Sequence, residues 1–296
     1  MEYKRIDLSQ VYEGLSSHPR QEIGDERVTK HGDTPSLYCY LHDVCGEINP
    51  DRVSPAVIVC PGGAYAMTSE REAEAIALRY FAHGYQAFVL RYSASAGWPI
   101  PLCEICGAIA YLRRNAAALH VAEDKIAVLG FSAGGHLAAS ASTLWHLPTV
   151  SQTLGVENAL CRPDASILCY PVISSGGYTH GDSMRNLLKD LADDEGMRGM
   201  MSLETQVRAD TPTAFLWHTA SDQAVSVMNS LLYGQALSSF DIPFEMHVFP
   251  KGPHGLASSD RDTNRLTDEN TCAHVAQWMD LSIRWLDYTF QTQSMP

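Results

Sequence analysis

The stretch Ile126–His136, IAVLGFSAGGH, leaves the surrounding chain few ways to fold. A short apolar run ends at Gly130, Ser132 follows two residues later, and Gly134 and Gly135 lead into the alanine-rich Leu137–Thr143. The pattern predicts a strand, a sharp turn and a helix, with one serine at the apex. Gly130-x-Ser132-x-Gly134 matches the turn that lifts a serine nucleophile above a parallel sheet. Such a turn is too tight for Cβ atoms at its flanks and strains the backbone at its tip. Glycine and serine are also common in ordinary turns, so the rest of the chain must decide between the two readings.

The flanking sequence supplies the alternating elements that a parallel sheet needs. Ser36–Asp43 reads as a strand, and Ala56–Cys60 (AVIVC) as a short buried one. Pro61-Gly62-Gly63-Ala64-Tyr65 follows at once. Ser69-x-x-Glu72 has the form of a capping box, and Ala73, Ile76, Ala77, Tyr80 and Phe81 have helical spacing up to Gly84. Gln86–Arg91 is the next strand, completing a βαβ unit. Further helices are predicted near 102–112, after the serine turn, at 227–240 and at 272–288. Further strands are predicted at 126–129, 165–170, 213–218 and 244–249. A mostly parallel sheet with helices on both faces follows.

The chain reads as a single domain over 1–296, with an irregular polar lead-in at 1–34. The exception to its rhythm is 174–210, too long for a plain connection and carrying several methionines and acidic residues. We expect a small, partly helical insertion there, either a lid over a site or a peripheral decoration. The apolar face of the final helix leaves two destinations open, the chain's own core or a homo-oligomer interface.

Composition removes several function classes. A net charge of −13 without a basic cluster argues against nucleic-acid partners and anionic membrane surfaces. No apolar run reaches the ~20 residues needed to span a bilayer. The start, MEYKRIDLSQ, lacks the apolar core of a secretory signal, so a soluble cytoplasmic protein with reduced cysteines is expected. Cys103-x-x-Cys106 lies on a helical stretch with no second pair to complete a zinc site, and packing accounts for it better.

A serine hydroxyl needs a base to take its proton, and the base needs a third group to orient it. Open α/β sheets present such groups at the C-terminal ends of their strands. Asp222 follows the 213–218 strand, though a loop aspartate can simply cap the next helix. His254 follows the 244–249 strand, held between Pro253 and Gly255. His218 is its rival, but it precedes the acid and breaks the chain order Ser…Asp…His. Ser132, Asp222 and His254 keep that order. The anion formed on an ester carbonyl needs waiting donors. The tight glycine loop Gly62-Gly63-Ala64, after one strand, and the N–H of Ala133, after the serine, lie where this arrangement requires them.

The motifs PGGAY (61–65), GFSAGG (130–135), LWHTASDQAV (216–225) and FPKGPHG (249–255) resemble those of bacterial esterase/lipase-like α/β-hydrolases related to acetyl xylan esterases. The similarity runs from about Thr34 to about Trp285. The resemblance implies an α/β-hydrolase fold with Ser132 as nucleophile, His254 as base, Asp222 as orienting acid, and Gly63, Ala64 and Ala133 as oxyanion donors. Pro61 and Ala64 depart from the commoner HGGG form, but the N–H groups survive the change. A small-molecule ester substrate is implied, with short acyl chains and acetylated carbohydrates such as xylo-oligosaccharides as the expectation, and no cofactor or metal. Tyr65, Trp98 and Tyr170 are candidates for a substrate wall, since aromatic faces suit sugar rings and acyl chains; all three suit plain packing equally well. The alternatives are a prolyl-oligopeptidase-like serine peptidase and a non-catalytic binding protein on the same fold.

Overall fold

In a computed structural model of the chain, which describes residues 1–15, 35–47, 49–263 and 272–291, the predicted strands become neighbours in one sheet. The strands are β1 (Glu2–Asp7), β2 (Ser36–Leu41), β3 (Ser54–Cys60), β4 (Gln86–Arg91), β5 (Val121–Phe131), β6 (Ala165–Cys169), β7 (Thr213–Thr219) and β8 (Phe244–Phe249). Their spatial order is β1-β2-β4-β3-β5-β6-β7-β8. β2 pairs antiparallel with both β1 and β4, and every other pairing is parallel. The labelled helices are α1 (Glu74–Ala82), α2 (Ile100–Arg114), α3 (Ala133–Leu144), α4 (Gly181–Leu188), α5 (Met228–Ser239) and α6 (Trp278–Phe290).

Period-two alternation of buried side chains builds a core on each face of the sheet. Ile58, Cys60, Ile126 and Val128 point to one layer, where they join Leu102 and Ile105 of α2, Leu137 of α3 and Tyr233 of α5. Val57, Val59, Ala127 and Leu129 point the other way, toward Ile76 and Tyr80 of α1 and Trp278 and Ile283 of α6. The central strands are apolar throughout because helices cover both their faces. Among the described residues no helix is long and apolar enough to cross a membrane.

Three expectations are corrected. Residues 2–7 of the supposed lead-in form an edge strand, and Leu8, Tyr12 and Leu15 behind it enter the core. Residues 16–34 lie outside the described part. The final helix is two pieces, Ala273–Ala276 and α6, and it packs inward through Val275, Trp278 and Leu286. Ser69 caps nothing with its side chain, so the capping box does not form.

The insertion at 174–210 is stitched to the body. Met184, Leu187, Leu188 and Met201 are buried in the core. At its entrance the Ile173 and Ser174 N–H groups both donate to Asn229 Oδ1 at 2.9 Å. Farther along, the Trp98 N–H donates to the Leu187 carbonyl at 2.7 Å.

Candidate active site

The chain leaves β3 toward β4 on one side and later returns to β5 on the other. The C-terminal ends of β3 and β5 therefore lie together, with Cys60 opposite Gly130, where the strand order reverses. Two loops leave the sheet side by side here. One begins at Pro61 and the other carries Ser132.

Ser132 joins β5 to α3 with φ 52° and ψ −117°, a conformation that a residue with a Cβ adopts only under constraint. The constraint is close packing of backbone. A Cβ on Gly130 would stand 2.1 Å from the Gly134 carbonyl oxygen, and one on Gly134 would stand 2.2 Å from the Cys60 carbonyl oxygen. Both contacts are far inside van der Waals range, so the glycines let strand, turn and helix close over one another. The Ser132 N–H donates to the Cys169 carbonyl, and its own carbonyl accepts from Val172 and His136. The strained residue is thus tied to β6 and to its own helix.

The loops after β7 and β8 bring Asp222 and His254 to the same edge. Asp222 is nearly enclosed, and its Oδ1 accepts from the N–H groups of Ala224 and Val225, both at 2.9 Å. Its Oδ2 lies 2.6 Å from His254 Nδ1, and His254 Nε2 lies 2.8 Å from Ser132 Oγ. An ionised carboxylate only accepts, so Nδ1 carries the proton and the Nε2 lone pair faces the serine hydroxyl. Burial by itself would raise the Asp222 pKa. The nearby imidazoles of His218 and His254 and the Val225 N–H outweigh it, holding the carboxyl well below its usual range. The His254 loop is tied to the Asp222 loop, because Thr219 Oγ1 and Ser221 Oγ both donate to the Gly252 carbonyl.

His218 is wholly buried, and its ring nitrogens are engaged elsewhere than at the serine. Its Nε2–H donates to the Val225 carbonyl at 2.9 Å, with Asp222 Oδ2 at 3.5 Å, and Nδ1 accepts from Ser230 Oγ. It braces the Asp222 loop from behind.

Beside the serine, Gly63, Ala64 and Tyr65 have φ of 131°, 54° and 55° in succession. Positive φ at three successive residues holds this loop in a tight, strained turn beside the serine. The N–H groups of Gly63, Ala64 and Ala133 engage no acceptor among the described residues, and Ala133 opens α3, where the first N–H groups have no helical partner. The loop is fixed from several sides. Tyr92 Oη donates to the Pro61 carbonyl, and Asn186 Nδ2 of α4 donates to the Ala64 carbonyl at 2.8 Å.

The aromatic wall expected from Tyr65 and Tyr170 is not formed by them. Both are almost fully buried, at 1% and 2% exposure, with their hydroxyls engaged underneath. Tyr65 Oη donates to His136 Nδ1 at 3.0 Å, while His136 Nε2–H donates to the Met201 carbonyl. The Tyr170 ring packs against His254, with centroids 5.0 Å apart and planes at 70°. Trp98 keeps partial exposure beside α4.

Sequence reasoning gave Glu72 a capping role and missed its place in the site. Its Oε2 accepts from the Gly62 N–H at 2.8 Å and its Oε1 from Tyr170 Oη at 2.6 Å. Only the glycine at 62 signals this, since a Cβ there would stand 2.8 Å from Glu72 Oε2 and 3.0 Å from Ser132 Cβ. Asn186 was missed as well, lying in an insertion with no motif of its own.

The BD-FAE family model matches residues 43–237. The chain is 38% identical over 232 residues to endo-1,4-beta-xylanase B of Butyrivibrio fibrisolvens, a match covering 76% of this chain and 35% of that protein. It is 29% identical to the acetylxylan esterase of Xylanibacter ruminicola, covering 74% of this chain and 43% of that one. The chain thus spans between a third and a half of the length of these curated relatives. Among solved structures it resembles the acetyl ester-xyloside bifunctional hydrolase of Caldicellulosiruptor lactoaceticus, with a TM-score of 0.77, 32% identity and 96% of each chain covered. By its sheet order, its sequence and these likenesses, the chain belongs to the BD-FAE family and is an α/β-hydrolase of the esterase class, related to acetylxylan esterases.

Proposed function

We propose that the chain hydrolyses carboxylic esters through an acyl-enzyme on Ser132, with His254 as general base and Asp222 as its orienting acid. The observation that carries this reading is the unbroken relay from Asp222 Oδ2 through His254 to Ser132 Oγ, with spacings of 2.6 and 2.8 Å. In the first step the Ser132 hydroxyl passes its proton to His254 Nε2 as Oγ attacks the ester carbonyl. The N–H groups of Ala133 and of Gly63 or Ala64 receive the oxyanion. The imidazolium then gives its proton to the departing alcohol. Water repeats the sequence on the acyl-enzyme, releasing the acid and freeing Oγ. Asp222 holds the imidazole tautomer and stabilises the imidazolium while it exists.

The substrate class we propose is a small ester with a short acyl group, acetyl foremost, on a carbohydrate alcohol such as an acetylated xylo-oligosaccharide. This rests on the names of the acetylxylan esterase and acetyl ester-xyloside hydrolase relatives.

Ser132→Ala tests the nucleophile. It abolishes p-nitrophenyl acetate turnover and fluorophosphonate labelling while the circular dichroism stays unchanged; labelling that persists moves the nucleophile elsewhere. A panel of acetylated xylo-oligosaccharides, simple acetyl sugars and p-nitrophenyl esters of rising chain length tests the substrate. Acetyl sugars turned over no better than p-nitrophenyl acetate would remove the carbohydrate assignment.

A further inference from the structure

The short turn Glu70–Glu72, between the Pro61 loop and α1, has more ties than a connection requires. Backward, the Ser69 N–H donates to the Gly62 carbonyl and Glu72 Oε2 accepts from the Gly62 N–H, so both polar groups of Gly62 are held. Forward, Arg71 Nη1 donates to the carbonyl of Gly255, the residue after His254, at 2.9 Å, and its Nε donates to the Thr263 carbonyl. Sideways, Glu70 accepts from Arg91 at 2.8 Å. One turn thus grips the loop carrying the candidate oxyanion donors and the loop carrying the candidate base.

Glu72 is the buried centre of this bridge, at 5% exposure. A carboxylate is costly to enclose unless each oxygen is matched by a donor. Here Oε2 takes the Gly62 N–H and Oε1 takes the Tyr170 hydroxyl. Tyr170 Oη in turn accepts from the Ala257 N–H at 2.9 Å, three residues past His254, and the Tyr170 ring lies against the imidazole. Burial first, and then the Glu72 charge, push the Tyr170 pKa far above its ordinary value, so the phenol remains a proton donor to Glu72.

We propose that Glu72 is a positioning residue for ester cleavage. It fixes the distance between the oxyanion-binding loop, through Gly62, and His254, through Tyr170 and Ala257. The inference rests on the serine-esterase reading above. Glu72 itself touches neither substrate nor reacting atoms. Its effect falls on the transition state, where the donors at residues 63 and 64 and the His254 ring must be in place together. Substrate binding does not need that registration.

Glutamine keeps the shape of Glu72 but turns one acceptor into a donor, which breaks one tie; phenylalanine at 170 breaks the other from the far side. The test measures kcat and KM with p-nitrophenyl acetate for Glu72→Gln, Tyr170→Phe and the double variant. Rates are normalised to active sites by burst titration, so that loss of folded protein does not count. Affinity for a trifluoromethyl ketone is measured in parallel, since its adduct resembles the tetrahedral anion. We expect Glu72→Gln to lower kcat per site by about 10- to 100-fold with little change in KM, the scale of a small misplacement of catalytic groups. Ketone affinity falls by a similar factor, because the missing interaction acts in the transition state. The double variant is no worse than the poorer single one, since both cut the same tether.

Per-site kcat and ketone affinity within about twofold of the parent would make Glu72 merely structural and overturn the proposal. So would losses that multiply fully in the double variant. Ser132→Ala separates the two readings: if it abolishes turnover while Glu72→Gln changes nothing, only the positioning role falls. If Ser132→Ala keeps turnover, both fall.

Discussion

His136 makes the stability of this fold depend on pH just below neutrality. It is wholly buried on α3, where its Nε2–H donates to the Met201 carbonyl and its Nδ1 accepts from Tyr65 Oη. A proton on Nδ1 would place a positive charge in a dry site and force the Tyr65 hydroxyl to turn from donor to acceptor. Burial accordingly lowers its pKa from 6.5 to about 4. Between those values the unfolded chain binds a proton that the folded chain refuses, so stability falls as pH falls. The contribution is complete above pH 6.5, about 2 kcal/mol is lost by about pH 5, and about 3 kcal/mol by about pH 4. Asp222 has the opposite chemistry and the same sign: its depressed carboxyl stabilises the fold above the unfolded carboxylate pKa of about 4 and loses that contribution below it. Burial also lowers the pKa of His42, His146 and His180, which add to the fall on acidification. His136→Gln isolates the one group, because an amide can donate and accept without titrating in this range. Urea unfolding followed by tryptophan fluorescence at pH 7 and pH 5 gives the comparison. The parent protein loses about 2 kcal/mol more than His136→Gln between the two conditions. Equal losses would refute a neutral, buried His136 as the source.

Three further substitutions probe the frame of the site. Ser132→Gly relieves a backbone strained at φ 52°, so it raises the unfolding free energy by about 1–3 kcal/mol while abolishing acyl-enzyme formation; calorimetry that shows no gain would remove the strain argument. Gly134→Ala drives a Cβ into the Cys60 and Pro61 carbonyl oxygens, and soluble folded protein is lost, whereas Gly199→Ala, with nothing within 4 Å, melts within a degree or two (about) of the parent. Asn229→Ala removes the shared acceptor of the buried Ile173 and Ser174 N–H groups and costs about 3 kcal/mol in chemical denaturation.

The parts of this molecule that were legible in its sequence are those set by local backbone demands or by chain order. Gly130 and Gly134 can be read because no other residue fits the turn. Asp222 and His254 can be read because each directly follows a strand of a parallel sheet. β1 escaped notice because EYKRID is an edge strand whose side chains stay half or wholly exposed, which erases the apolar alternation. Glu72 was misread because its spacing from Ser69 imitates a local cap, while its partners are Gly62 across a turn and Tyr170 across the sheet. Tyr65 and Tyr170 show the same limit. An aromatic residue after a strand end looks alike whether its ring faces the opening or lies beneath it, and only the positions of His136 and Glu72 decide between them.

The attachment of α4 bears on how such a protein can diversify. Asn186 holds the carbonyl of Ala64, and the carbonyl of Leu187 receives the Trp98 N–H, so consecutive residues of one insertion hold two separate loops at the rim. The insertion and the loop beside Ser132 are therefore not interchangeable modules. A lineage, or an engineer, that replaces 174–210 in search of a different substrate also resets the loop beside Ser132. New specificity obtained that way arrives with a change in rate, unless a donor to Ala64 and an acceptor for Trp98 come with the graft.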